Sequence, residues 1–380
     1  MKIIIAPDSF KGSLSAKAVA DAIEIGIRRV VHDVEIIKVP MADGGEGTVQ
    51  SLVDATGGRM VSLRVLDPLC REINSFYGIL GDDKTAVIEM AAASGLPLLK
   101  EEERNPMITT TYGTGQLIKH ALDMGCRNII LGIGGSATND GGAGMATALG
   151  VKFLNEQGEE IGFGGGALGE LHSIDKSGMD QRIGLCKISV ACDVSNPLIG
   201  LEGASYVFGP QKGADKTMVE TLDENLKRYG QLLEQNLGIS VLDVPGTGAA
   251  GGLGAGVLAF LNADLRRGVD IIIEATGLEG KLNGADLVIT GEGMIDHQTI
   301  YGKTPYGVAE LAGKYKIPVV AIAGGIGNNI EVLYNNGFNS VFSIVDRPMT
   351  LKESIDRAQV LLQDTAERIM RLFSINLHHK

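Results

Sequence analysis

Tryptophan is absent from this chain, and all aromatics together make up 4% of its 380 residues. That scarcity excludes a stacking platform for single-stranded nucleic acid. Positive charge is also in deficit: 34 Lys and Arg face 46 Asp and Glu, for a formal net charge of −12. A duplex-binding surface needs a basic footprint, so no nucleic acid is expected as a partner, although a local positive pocket for a small anion stays open. The cysteines Cys70, Cys126, Cys186 and Cys192 contain no CxxC pair. With 44% hydrophobic residues available for a core, no disulfide framework is required, and the thiols read as reduced. No apolar run approaches the roughly 18 residues of a membrane span. The opening MKIIIAPDSFKG is too short an apolar run for a signal peptide, and the cytoplasm is the expected compartment.

Several catalytic signatures are missing as well. There is no HExxH or Cys/His grouping with zinc spacing, and no GxSxG elbow. Gly302-Lys303-Thr304 has a Walker A ending, but His297 stands where that loop requires glycine. ATP, if bound, is held in another way.

Glycine, by contrast, is abundant: 53 residues, about twice the usual share of roughly 7%. Many follow apolar runs, where backbone must approach something closely. Lys2 to Ala6 reads as a buried strand. Ser15 can cap a helix whose apolar face is Val19, Ile23, Ile27 and Val30, and Val34 to Val39 reads as the next strand. Such a βαβ unit places the loops Pro7–Ser13 and Pro40–Gly47 on one sheet edge, where open α/β sheets bind ligands. Near the other end, Leu287 to Thr290, Val319 to Ala323 and Val341 to Val345 read as strands ending in polar or glycine-rich loops. A last helix puts Ile355, Ala358, Leu362, Ala366, Ile369 and Phe373 on one face, followed by a frayed Leu377–Lys380 tail. In between, Ala86–Met90, Asn128–Ile133, Ile188–Cys192 and Ser205–Phe208 look strand-like. The expected fold is α/β with two α/β domains. A Rossmann- or flavodoxin-like parallel-sheet domain comprises residues 1–64 and 284–380, and an inserted α/β domain with glycine-rich loops comprises 65–283.

Two glycine loops suggest phosphate binding. Gly132-Ile133-Gly134-Gly135-Ser136 follows a strand, and Gly246-Thr247-Gly248-Ala249-Ala250-Gly251 matches GxGxxG. Backbone amides in such loops hold phosphate oxygens, but the same glycines can simply permit tight packing. A dinucleotide site also needs an acidic residue after a second strand, and Asp264 falls in an apparently helical stretch. The carboxylates Asp8, Asp43, Glu46, Asp140, Asp193, Glu292 and Asp296 lie in or beside polar loops after apolar runs. Such groups hold Mg²⁺ or accept a proton; singly, each could be a helix cap. Lys11, Arg104, Lys212 and Lys303 lie in similar loops and could pair with an anionic substrate.

Together the motifs resemble the bacterial type-1 glycerate kinases. The blocks carrying the resemblance are APDSFKGSLSA (Ala6–Ala16), PMADGGEGT (Pro40–Thr48), IEMAAASGL (Ile88–Leu96), RNPMITTTYGTGQLI (Arg104–Ile118), LGIGGSATNDGGAGMATALG (Leu131–Gly150), ACDVSNPLIG (Ala191–Gly200), FGPQKGA (Phe208–Ala214), PGTGAAGGLGAG (Pro245–Gly256) and VITGEGMIDHQTIYGKTP (Val288–Pro305). The resemblance implies ATP-dependent phosphorylation of D-glycerate to 2-phosphoglycerate and ADP, with Mg²⁺, in a cleft between the two domains. It supplies no residue roles; those follow from chemistry and position. Gly134, Gly135, Ser136, Gly248 and Gly251 would cradle phosphates, and Asp193 and Glu292 would position Mg²⁺. Asp296 or Asp8 would take the hydroxyl proton. Lys11, Arg104 and Lys303 would bind the carboxylate or stabilise the transferred phosphoryl group. Ser9, Asp43 and Glu46 are further substrate-binding candidates. Two rivals remain: a nicotinamide-dependent hydroxy-acid dehydrogenase, and a sugar-acid sensor without turnover. Oligomeric state is not legible.

Overall fold

The computed structural model describes residues 1–375; the Leu377–Lys380 tail lies outside them. The chain divides into two compact units. The first comprises Met1–Asp43, Gln50–Gly57 and Val269–Lys380; the second comprises Gly44–Val49 and Gly58–Gly268.

The first unit is built on a five-stranded, all-parallel sheet. Its strand order is Ser340–Ser343, Val319–Ile326, Leu287–Ile295, Lys2–Ile5, Glu35–Lys38. Lys2–Ile5 sits between Leu287–Ile295 and Glu35–Lys38, with Ile3 opposite both Leu287 and Ile36. Ile3, Ile4 and Ile5 are fully buried, as a strand covered on both faces requires. The helix Ala16–Arg28 begins where Ser15 Oγ accepts the Ala18 N–H at 3.2 Å. It buries Val19, Ile23 and Ile27 against the long helix Leu351–Ile375. Backbone meets backbone there: a Cβ on Gly26 would lie 2.2 Å from the Gln363 carbonyl oxygen, so only glycine fits. The long helix buries Ala358, Leu361, Leu362, Ala366 and Ile369. Ile355, expected on that face, is instead 38% exposed.

The second unit holds a six-stranded sheet in the order Asp264–Arg266, Lys187–Ala191, Asn128–Gly132, Thr85–Glu89, Glu72–Ile79, Arg59–Leu66. The first four strands run parallel, and the last two pair antiparallel. Arg59–Leu66 alternates exposed and partly buried residues, as an edge strand with one wet face does. Its pairing with Glu72–Ile79 divides the units near Gly58 rather than at residue 64, and the second division falls at Gly268 rather than 283. Two local expectations are corrected. Ser205–Phe208 lies in a helix, Ala204–Phe208, which packs against the helix Lys216–Leu237 rather than pairing with a strand. Asp264 opens a strand beside Lys187–Ala191, since Asn262 in the left-handed region ends the preceding helix. No described helix is long and apolar enough to cross a membrane.

Candidate active site

The carboxyl edge of the first unit's sheet collects the chemistry. Asp8 follows the Lys2–Ile5 strand, and its backbone N–H donates to the Gly291 carbonyl at 2.8 Å. Its side chain is fixed at both oxygens: Oδ1 accepts the Ser9 N–H at 2.6 Å and Oδ2 accepts the Thr304 hydroxyl at 2.9 Å. Burial, with the charge of Asp43 adding to it, pushes the Asp8 carboxyl up to about 6. A tight turn follows, in which Phe10 and Leu14 exchange backbone hydrogen bonds around Gly12 at φ 76°. The turn presents Lys11, whose Nζ donates to Asp43 Oδ2 at 3.0 Å.

Glu292 comes from the strand Leu287–Ile295. Its Oε1 accepts the Thr299 hydroxyl at 3.0 Å, and its Oε2 lies 3.5 Å from Lys303 Nζ. Burial raises the Glu292 carboxyl to about 7 despite that lysine. Asp8, Ser9, Lys11, Asp43, Glu292 and Lys303 all line one cavity of about 630 Å³ within this unit. The remaining wall is largely apolar and comes from Phe10, Met294, Ile344, Val345, Met349 and the start of the Leu351–Ile375 helix.

Asp296 is placed differently from its expected role. Its Oδ1 accepts the Gln298 N–H at 2.8 Å and caps the short helix His297–Ile300, and it is not part of the cavity wall.

In the second unit the glycine loops separate into two kinds. Gly134 and Gly135 follow the Asn128–Gly132 strand and are exposed, with Gly135 at φ 74°. Gly248 and Gly251 are buried packing points. A Cβ would lie 2.0 Å from the Pro197 carbonyl oxygen at Gly248, and 1.9 Å from the Thr138 carbonyl oxygen at Gly251. Their missing side chains make room for protein backbone, a packing reason for glycine at both positions. The GxGxxG loop also fails as a dinucleotide fingerprint, since the element before it is the helix Lys216–Leu237, not a strand. Ser136 is buried, its Oγ donating to the Ala250 carbonyl at 3.2 Å. Asp193 Oδ1 accepts the Gly268 N–H at 2.9 Å, at the start of the helix Gly268–Thr276. Arg104 is half-buried, and its Nε has no hydrogen-bond partner. Glu46 is exposed.

The same unit holds a buried polar cluster. Asp140, 1% exposed, accepts from the Thr111 amide and hydroxyl, the Thr110 hydroxyl and the amides of Gly142 and Gly144. Lys212, 2% exposed, donates to the Thr138 carbonyl at 2.7 Å and the Ser136 hydroxyl at 3.4 Å. Burial raises the Asp140 carboxyl, and lowers the Lys212 amine to about 7 against the pull of Asp140.

A sequence model of the Glycerate kinase family matches residues 3–374. The chain belongs to the glycerate kinase family. It is 54% identical over 369 residues to a glycerate kinase of Bacillus subtilis, with 97% of each chain covered. It is 53% identical to a glycerate 2-kinase of Escherichia coli, with 93% of each chain covered. It also superposes with a TM-score of 0.93 on a crystal structure from Salmonella typhimurium LT2 assigned as a glycerate kinase 2, at 52% identity, covering 100% of this chain and 99% of that one. The chain is therefore a kinase that phosphorylates glycerate. Of the residues singled out from the sequence, Asp8, Ser9, Lys11, Asp43, Glu292 and Lys303 line one cavity, while Thr299 and Thr304, which hold Glu292 and Asp8, were not singled out. Thr304 was visible only as the end of a spoiled Walker motif, and Thr299 carried no signal. The apolar wall was missed because its residues come from separate segments with no shared pattern.

Proposed function

We propose that the enzyme transfers a phosphoryl group from ATP to the 2-hydroxyl of D-glycerate, giving 2-phosphoglycerate and ADP, with Mg²⁺ assisting. The observation that carries this reading is one cavity in which the buried Asp8 and the partly buried Glu292, both with raised pKa values, stand with two lysines, Lys11 and Lys303. Perturbed acids in a concave site are where proton transfer and charge stabilisation are done. The product assignment is supported by the name of the Escherichia coli relative, a glycerate 2-kinase.

Asp8 accepts the proton of the attacking hydroxyl, late in a reaction where positioning dominates. Its value of about 6 leaves it ionised at neutral pH yet basic enough to act. The Ser9 amide and the Thr304 hydroxyl hold the carboxylate in place. Lys11 and Lys303 bind the glycerate carboxylate and the oxygens of the transferring group. Ser9 and Asp43 complete this substrate wall. The donor set fits Mg²⁺: Asp8, Asp43 and Glu292 outnumber the two lysines in the same cavity. Mg²⁺ commonly uses one or two carboxylates with water and phosphate oxygens. Glu292 would hold the ion. When bound, Mg²⁺ neutralises charge on the phosphates and so favours transfer. Asp193 is a weaker candidate because it already caps a helix. Gly134 and Gly135 are kept as amides that could contact phosphate, and Arg104 and Glu46 as further substrate contacts.

A coupled ADP-release assay over a panel of small hydroxy acids, with and without Mg²⁺, tests this. D-Glycerate should release ADP, and phosphorus NMR of the product should show a doublet from the single proton on the phosphorylated carbon. A triplet would move the phosphate to the terminal hydroxyl. Binding without ADP release would turn the protein into a sensor, and hydride transfer to a nicotinamide would make it a dehydrogenase.

A further inference from the structure

The cavity of the first unit has two chemically different ends. Part of its lining is the charged set Asp8, Lys11, Asp43, Glu292 and Lys303, and the rest carries no charged side chain. Of its residues Leu351 is 78% exposed, Val345 41% and Ile355 38%, and Met294, beside Gly325 on the Leu287–Ile295 strand, is 53% exposed. Single exposed aliphatics are ordinary. Four on one concave surface form a patch that a soluble protein rarely leaves open without a ligand. Ile355 sits on the long helix at a position whose spacing predicts burial, and it faces the cavity instead.

Glycerate cannot cover this wall, because a three-carbon hydroxy acid has polar groups on every carbon. At about 630 Å³ the cavity is also sized for a larger ligand, within the roughly 300–1,000 Å³ typical of drug-sized molecules. We propose that the apolar half is the nucleobase subsite of the triphosphate donor, an inference that rests on the ATP-dependent reading above. A base offers two flat, uncharged faces that need apolar contact, and the Met294 and Met349 thioethers are polarisable partners for an aromatic ring. The hydroxyls of Ser13, Thr350 and Ser354 lie in the same wall and can meet the edge of the base. The same lining includes Gly293, Gly324 and Gly325, side-chain-free positions near the carboxyl ends of two parallel strands. These positions leave room for ribose and for phosphates running toward Lys11 and Lys303. The donor thus lies along the carboxyl edge of the sheet, as ligands of open α/β sheets do.

The test is the double variant Leu351→Glu/Ile355→Glu, which charges the wall at two exposed positions one helical turn apart. KM for ATP should rise at least about tenfold, a loss on the scale of two aliphatic contacts. KM for glycerate should stay within about twofold, since its partners are elsewhere. Inorganic tripolyphosphate, which has no base, should inhibit wild type and variant equally. A rise in KM for glycerate with KM for ATP unchanged would overturn the proposal, as would unchanged values for both. If wild type released no ADP with glycerate, the underlying reading would fail. Calorimetric binding of a non-hydrolysable ATP analogue to wild type and variant would still decide the subsite.

Discussion

The two units each bury ionisable groups, and the groups behave differently. In the first unit Asp8 and Glu292 border a cavity and retain few partners each. In the second, Asp140 is wrapped by five donor groups and Lys212 by backbone and hydroxyl oxygens, both within packed protein. Burial shifts the pKa of all four. The difference teaches that a shifted pKa marks chemistry only when the group also has open space and unspent hydrogen-bonding capacity; otherwise it marks a structural polar core.

That contrast can be broken or sharpened by substitution. The largest effect is expected for Asp8→Asn, which should lower kcat by at least about 10³-fold in a steady-state assay. The same change should stabilise the fold. Because the Asp8 carboxyl rises from 3.8 to about 6 on folding, the native state holds a proton that the unfolded chain releases, so stability falls as pH rises through that window. Removing the charge should recover up to about 3 kcal/mol at pH 7 in a denaturant melt. Asp140→Ala should do the reverse, leaving several buried donors unmet and costing about 3–5 kcal/mol, with kcat per folded molecule nearly unchanged. Glu292→Gln should weaken the Mg²⁺ requirement curve by about 10- to 100-fold. In wild type, protons and metal compete for Glu292, so Mg²⁺ affinity should climb with pH up to about 7, and titration of the variant should lack that climb.

Smaller effects are expected at residues outside the cavity lining. Lys212 falls from 10.5 to about 7, so the unfolded chain binds the extra proton and wild-type stability should rise between those pH values. Chemical denaturation should show Lys212→Met without that slope. Asp296→Asn should be the mildest, with kcat within about threefold of wild type, because asparagine caps a helix as well as aspartate does. A large loss there would return Asp296 to the chemistry.

The sequence made local features legible and long-range ones not. Runs such as Lys2–Ile5 and the Ser15 cap are visible because strand burial and helix capping are set by neighbours in the chain. Ser205–Phe208 misled because four residues carry too little pattern to separate a strand from a helix turn. The packing role of Gly248 and Gly251 was illegible for a different reason: the carbonyls they accommodate, at Pro197 and Thr138, are distant in sequence. Thr304 binds Asp8 across 296 residues, and no spacing rule reaches that far.

The Lys2–Ile5 strand has a further consequence for how the protein is made. Its neighbour Leu287–Ile295 lies about 284 residues downstream, so during synthesis the first β-strand emerges long before the segment that completes its ladder. The second unit is almost one continuous stretch, Gly58–Gly268, with most of its pairings already available. The ribosome therefore delivers a nearly self-sufficient middle first and leaves the active-site sheet open until the last quarter of the chain arrives.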